Sequence, residues 1–375
     1  MTSGQQDIAG HLDRHLTTEL GRLFAATLGG VVLIYLVIDF ADRAHGFHGR
    51  AWGKSVLELY ANKAAVVSYQ LAPAALIIAA ALLVTLLSRR GELIALYGLG
   101  VRPLRLALPI AGFATVLGVG LFWLGEKVVV HADARAEEIQ IQRFNRWGDW
   151  ATYHTGSSWL RGREGRIYHL GPARDGGWEP ATILEIEPPF RLARRIDARR
   201  IEPLAKVKGG ERWVLFDATE TTYGLQGGPG GTIEERRADL MEVTFPETPA
   251  DLELRSGRPS QLPWLALREQ VRRREAAGQR AREYELALAE RAAQPVQVVP
   301  AALAAMGLTL GMLRPRRRMP LAGAVAVGIA LTMVLWAVSV IAHAISLGGG
   351  LSPWTAGATP GLVSTLIAVA AFRRG

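Results

Sequence analysis

A chain of 375 residues with a formal charge of +9, 49% hydrophobic residues and a mean hydropathy of +0.15 carries more apolar material than an ordinary soluble protein. The lack of cysteine excludes disulfides and thiolate metal sites. The basic excess fits loops held against anionic headgroups better than nucleic-acid binding, because no basic stretch carries the interleaved aromatics of a stacking platform.

The first apolar run covers residues 20–39, after a polar start, with no small-residue cleavage site behind it. It is read as a retained membrane span rather than a leader. Asp39, Asp42 and Arg43 end it, and residues 44–67 are mixed and partly helical. Within them GRAWGKS (residues 49–55) imitates a phosphate loop, but it has one residue too few between the glycines and follows a span rather than a strand. If ATP drives this chain, another chain binds it. A second span covers residues 69–87 and a third residues 104–124.

Between them RGELIALYGLG (residues 90–100) is not a plain loop. Leu93, Ile94, Leu96 and Tyr97 fall at helical spacing, Glu92 sits in the first turn, and Gly98 and Gly100 close the segment. Such a short amphipathic helix between arginines is either an interfacial anchor or a docking knob for a cytoplasmic partner.

Residues 131–262 differ in character. Short runs of β-formers (159–161, 166–170, 183–186, 213–219) alternate with glycine turns, which predicts an all-β domain, a sandwich or jelly roll, outside the bilayer. His154 and His169 lack metal-ligand spacing. Residues 265–291 predict a charged helix broken near Gly278. Three more spans follow at about 293–313, 321–345 and 354–372. The expected domains are therefore 1–130, 131–262 and 263–375. With six spans, the arginines at 14, 22, 89, 90, 102, 105, 314, 316–318, 373 and 374 all fall on one side. The Lys/Arg bias makes that side cytoplasmic and the β domain periplasmic.

Three spans, a β domain and three spans resemble the plan of the LptF/LptG (YjgP/YjgQ) lipopolysaccharide-export permeases. Residues 90–100 are similar to the coupling-helix signature SELxxLxASG of that family; Glu92 and Gly100 match, and Gly91 replaces its serine. LDRHL (12–16), IDFAD (38–42), the hairpin at 159–170 and the stretch 284–295 resemble further family motifs, closer to LptG than to LptF. The resemblance implies a membrane α-helical permease of six transmembrane helices with an inserted periplasmic jelly roll. It implies no catalysis and no cofactor of its own. The implied partners are an LptB-like cytoplasmic ATPase dimer, an LptF-like second permease and LptC/LptA-like periplasmic bridge proteins. The implied cargo is lipopolysaccharide, taken into a cavity between facing subunits. Arg90, Glu92, Leu93, Leu96 and Gly100 would couple to the ATPase.

An amphiphile bearing phosphates needs an apolar cavity with a basic rim. The lipid-binding candidates are Arg43, Lys63, Lys127, His131 and Arg135, with Trp336, the intramembrane His343 and, as an acid where some family members carry a base, Asp39. Each cation could equally be an interfacial anchor. Trp123, Trp336 and Trp354 suit the interfacial belt, and Gly307 and Gly311 have close-packing spacing. Two other classes remain. A permease that only transmits force should have packed spans and no lumen. A membrane-anchored enzyme would need a nucleophile or metal constellation that the β domain lacks.

Overall fold

The computed structural model describes residues 3–47, 52–144, 158–162, 164–207, 210–224, 233–252, 259–276, 281–313 and 319–374. The near-miss phosphate loop, His154, Gly278 and the arginines at 314–318 fall wholly or partly outside these residues. The chain divides into two compact units. One comprises Met1–Arg146, Ser260–Leu265 and Arg282–Gly375, the other Trp147–Pro259 and Ala266–Ala281.

The first unit is helical. Its helices are α1 (Ser3–Arg43), α2 (Trp52–Arg89), α3 (Glu92–Gly98), α4 (Pro103–Leu124) and α5 (Val130–Phe144), the last two joined without a break through a π-helical turn, Gly125–Val129. After the β unit and α6 (Trp264–Ala276) come α7 (Arg282–Met312), α8 (Leu321–Leu347) and α9 (Pro353–Arg374). Six stretches among the described residues are long and apolar enough to cross a membrane: Gly10–Arg43, Trp52–Arg89, Pro103–Gln140, Arg282–Met312, Leu321–Leu347 and Pro353–Arg373.

The helices outrun the apolar runs. α1 and α2 have 41 and 38 residues, roughly 60 Å each at 1.5 Å per residue. Much of the segment expected to be mixed is therefore helix, beginning at Trp52. The reason is a stripe at helical spacing: Val56 and Leu59 are buried against Ala136, Ile139 and Phe144 of α5.

α2 is the central span. Its small residues at 75 and 79–81, with Leu76, Leu83 and Val84, are almost wholly buried against α1, α4 and α7. Small residues set the helix spacing elsewhere too. A Cβ on Gly118 of α4 would lie 2.4 Å from the Pro295 carbonyl oxygen of α7, and one on Gly357 of α9 would lie 2.9 Å from the Ala289 carbonyl carbon. Gly307 lies against Ala371 of α9, as its spacing predicts, while Gly311 faces open space.

The second unit is the expected all-β domain, an antiparallel sheet curled into a half-barrel. Its strands are β1 (Ser158–Arg161), β2 (Arg166–Leu170), β3 (Ala173–Arg174), β4 (Gly177–Trp178), β5 (Ala181–Glu187), β6 (Arg191–Ala198), β7 (Arg200–Val207), β8 (Gly210–Tyr223) and β9 (Ile233–Phe245). The order is β1-β2-β5-β6-β8-β7-β4-β3, with β9 along the other edge of β8. β6 and β7 are two halves of one long strand broken at Arg199, and both pair with β8.

At the break Asp217 of β8 has φ +47, and its carboxylate lies 2.9 Å from the Arg199 guanidinium. Side-chain alternation changes face there on all the strands involved. Ile196 and Ala198 point inward before it and Ile201 after it; Trp213 and Leu215 alternate with Ala218, and Met241 with Ala238. The sheet turns a corner at this point, and its concave face fills with Tyr168, Trp178, Ile183, Ile196, Ile201 and Trp213.

Tyr168 also closes the core. Its hydroxyl donates to Glu247 Oε2 at 2.7 Å, and Trp213 Nε1 donates to the Glu247 backbone carbonyl at 3.2 Å. Burial first, and then the neighbouring carboxylate, push the Tyr168 hydroxyl above its usual range, so it stays protonated and donating.

Two outcomes follow from this packing. Gly118→Leu should force α4 from α7 and lower the detergent-solubilised protein's melting temperature by several degrees, whereas Gly311→Leu, with free space, should not. Tyr168→Phe should remove a buried donor worth about 1–3 kcal/mol and speed hydrogen exchange in β8 and β9 while leaving the helices protected.

Candidate functional site

The polar side chains of the helical unit gather at three stations. The first is α3. Gly91 precedes it at φ +79 and Gly100 follows it at φ +77, conformations that L side chains rarely adopt. Gly100 N–H donates to the Tyr97 carbonyl and Val101 N–H to the Leu96 carbonyl, both at 3.0 Å, which is a Schellman stop. The spacing glycines are thus the helix's own terminators.

α3 is held against α1 by charge. Arg90 Nη1 lies 2.7 Å from Glu19 Oε1 and 3.8 Å from Glu92, and the His15 imidazole lies 3.4 Å from the Glu92 carboxylate. Leu93 is buried in the bundle core, and Leu96 packs against that core. The face turned outward carries Ile94, Tyr97 and Leu99 instead. Of the sequence-predicted coupling residues, Arg90 and Glu92 sit at the helix start, Leu93 and Leu96 anchor it, and Gly100 shapes it.

The second station lies at the opposite end of the bundle, where α1 ends and α2 begins. The Asp39 carboxylate, nearly buried, takes the Tyr60 hydroxyl at 2.8 Å, the Lys63 ammonium at 2.5 Å and the Arg43 guanidinium at 3.1 Å. Arg43 also donates to Gln140 of α5 at 3.2 Å. Phe40, Phe47, Tyr60 and Phe144 stack edge to face around the group. Arg135 is paired as well, with Glu58 at 2.8 Å and Glu138 at 2.7 Å. The acid that seemed out of place in a basic rim is therefore the hub that fixes Arg43 and Lys63. Both cations are thereby tied to one carboxylate shared between α1 and α2.

The third station joins α4, α7 and the strap of residues 260–264. Glu126, in the π-helical turn, accepts from Arg291 Nη1 at 3.1 Å and from the Trp264 backbone N–H at 2.6 Å. Arg291 also donates to the carbonyls of Leu262 and Ser260, at 2.5 and 3.0 Å. Tyr69 donates to Gln294 beside them and rests against Gly125, where a Cβ would come within 3.0 Å of its ring. Nearby, His343 Nδ1 of α8 lies 2.8 Å from Glu290 Oε1 of α7, so the intramembrane histidine has an acidic partner.

Lys127 and His131 are exposed one turn apart, with the His131 ring 3.1 Å from the Lys127 carbonyl; Trp336 is exposed on α8. The structure brings Asp39, Arg43 and Lys63 together, but does not join Trp336 or His343 to them. Sequence reasoning missed Glu58, Glu126, Glu290 and Arg291. Their signal was available: each is a charge flanking an apolar run and needs an opposite charge within the chain. Among the described residues no group of three or more His, Asp or Glu side chains could hold a metal ion.

If Asp39 is the hub, Asp39→Asn should leave Lys63 and Arg43 without their shared counter-charge. Loosening of α1 from α2 should appear as faster proteolysis of the segment joining them, while Asp42→Asn should have little effect.

No curated protein matches the chain. A protein-family model does, over residues 14–374, nearly the whole length and across all three stations. The chain belongs to the lipopolysaccharide export system permease LptF/LptG family.

Proposed function

We propose that this chain is the membrane subunit of an ATP-driven lipopolysaccharide exporter and that α3 is its coupling knob. It does not hydrolyse ATP; a separate cytoplasmic ATP-binding subunit receives α3, and a paralogous permease completes the cavity. The arginine-flanked connections, with α3 and both termini, face the cytoplasm, and the β unit is periplasmic, where it meets bridge proteins of similar fold. Lys127, His131, Arg43 and Lys63 then stand at the periplasmic end, where cations suit phosphorylated sugars.

One observation carries this reading. α3 presents Ile94 and Tyr97 outward, with exposed Leu99 just after it, while its inner face and two ion pairs fix it to the bundle. An exposed apolar face on a rigidly held seven-residue helix is suited to filling a groove in a partner rather than to lying loosely on lipid.

Ile94→Glu with Tyr97→Ala should cut co-purification of the ATP-binding subunit by about tenfold or more, with the helix bundle unaltered. Gly100→Val, which forces a branched side chain into a left-handed conformation, should weaken association without touching the docking face. Undiminished association and export in the double variant would remove the coupling role. Accessibility labelling that places residue 94 and the β unit on the same side would remove the topology.

A further inference from the structure

A cleft of about 420 Å³ opens between α1 and α4, away from the three stations. Its floor is apolar: Leu108, Gly112, Phe113 and Val116 follow one face of α4. Gly112 leaves it open, because a Cβ there would meet nothing within 4 Å. Phe113 does not swing in to close it, since it is held edge-on to Phe24 with ring centroids 5.8 Å apart. Leu108 and Val116 are exposed, so nothing else in the chain covers the floor among the described residues.

The mouth is different. Asp13 and Arg105 form a two-pronged pair across it, Oδ1 to Nη1 and Oδ2 to Nη2, both 2.8 Å. The pair is part-exposed at the end of the spans that carries α3. The guanidinium keeps N–H donors to spare after serving Asp13, and the carboxylate keeps lone pairs.

We propose that this cleft binds one molecule of a zwitterionic phospholipid with a primary-amine headgroup. The acyl chain lies over Gly112, the phosphate meets Arg105 and the ammonium meets Asp13. Charge complementarity selects this occupant. The mouth holds one acid and one base side by side, matching a headgroup with one cation and one anion; a purely anionic headgroup would bring its charge against Asp13.

The test uses the full-length protein, with whatever subunits co-purify, in nanodiscs of equimolar phosphatidylethanolamine and phosphatidylglycerol. Native mass spectrometry then reads the lipid retained on release. Phosphatidylethanolamine should be enriched about threefold or more over the bulk ratio, the scale of a part-exposed ion pair. Gly112→Leu should abolish the enrichment by filling the cleft. Gly120→Leu, an equally open glycine on the same helix but outside the cleft, should preserve it. Asp13→Asn should return the ratio to that of the bulk while lipid is still retained. Retention at the bulk ratio by the unaltered protein, preference for phosphatidylglycerol, or equal effects of the two leucine variants would overturn the proposal. So would a cross-link from Gly112→Cys to a second polypeptide rather than to lipid.

Discussion

Charge compensation at the ends of apolar helices is the constraint on which the helical unit depends. A carboxylate at the edge of hydrocarbon is tolerated only with a partner. Here Asp13, Glu19, Asp39 and Glu126 each find a cation on another element: Arg105, Arg90, Lys63 and Arg291. These pairs join helices that apolar packing alone would leave free to slide, because side chains against lipid gain little by choosing one register over another. The close glycine contacts then fix the spacing that the pairs have oriented.

The β unit meets a different constraint. A long hairpin of alternating strands would present one face to its core along its whole length. The change of face at Arg199 and Asp217 lets the two halves turn different residues inward, so both close around Trp213. The positive φ of Asp217 is where the backbone absorbs the turn. The concave surface is consequently filled by packed side chains from β1, β2 and β4 to β9.

Much of this architecture was legible because membrane spans and glycine-punctuated strands have strong sequence periods. All six spans and the β insertion follow from them. What escaped was whatever depends on pairing across distance. β9 is hard to see in the sequence because, as an edge strand, it carries a run of exposed charged residues, Glu234, Glu235, Arg236 and Arg237, and only a few apolar ones toward the core. Asp39 was read as a misfit because Lys63 and Tyr60, 24 and 21 positions away, reach it only after α1 and α2 fold side by side. Leu93, which the resemblance places among the coupling residues, is buried in the bundle core, and helical spacing alone identifies an apolar stripe without saying which neighbour covers it.

That last difference bears on how a short helix can transmit force. A knob seated in a partner passes on displacement only if it is stiffer against its own protein than the groove is against the knob. In α3 the residues of a single apolar patch divide the work. Leu93 and Leu96 go inward and remove rocking about the helix axis, and Ile94, Tyr97 and Leu99 go outward. The Schellman stop at Gly100 prevents extension into α4, and the Arg90 and Glu92 pairs reach past α2 to α1. A push on α3 therefore arrives at α1 directly rather than through the connecting backbone. α1 runs without interruption to Asp39 and the cationic cluster at the far end of the bundle. α1 thus links the α3 contacts at one end of the bundle to the Asp39 cluster at the other, with both ends of that path fixed by ion pairs.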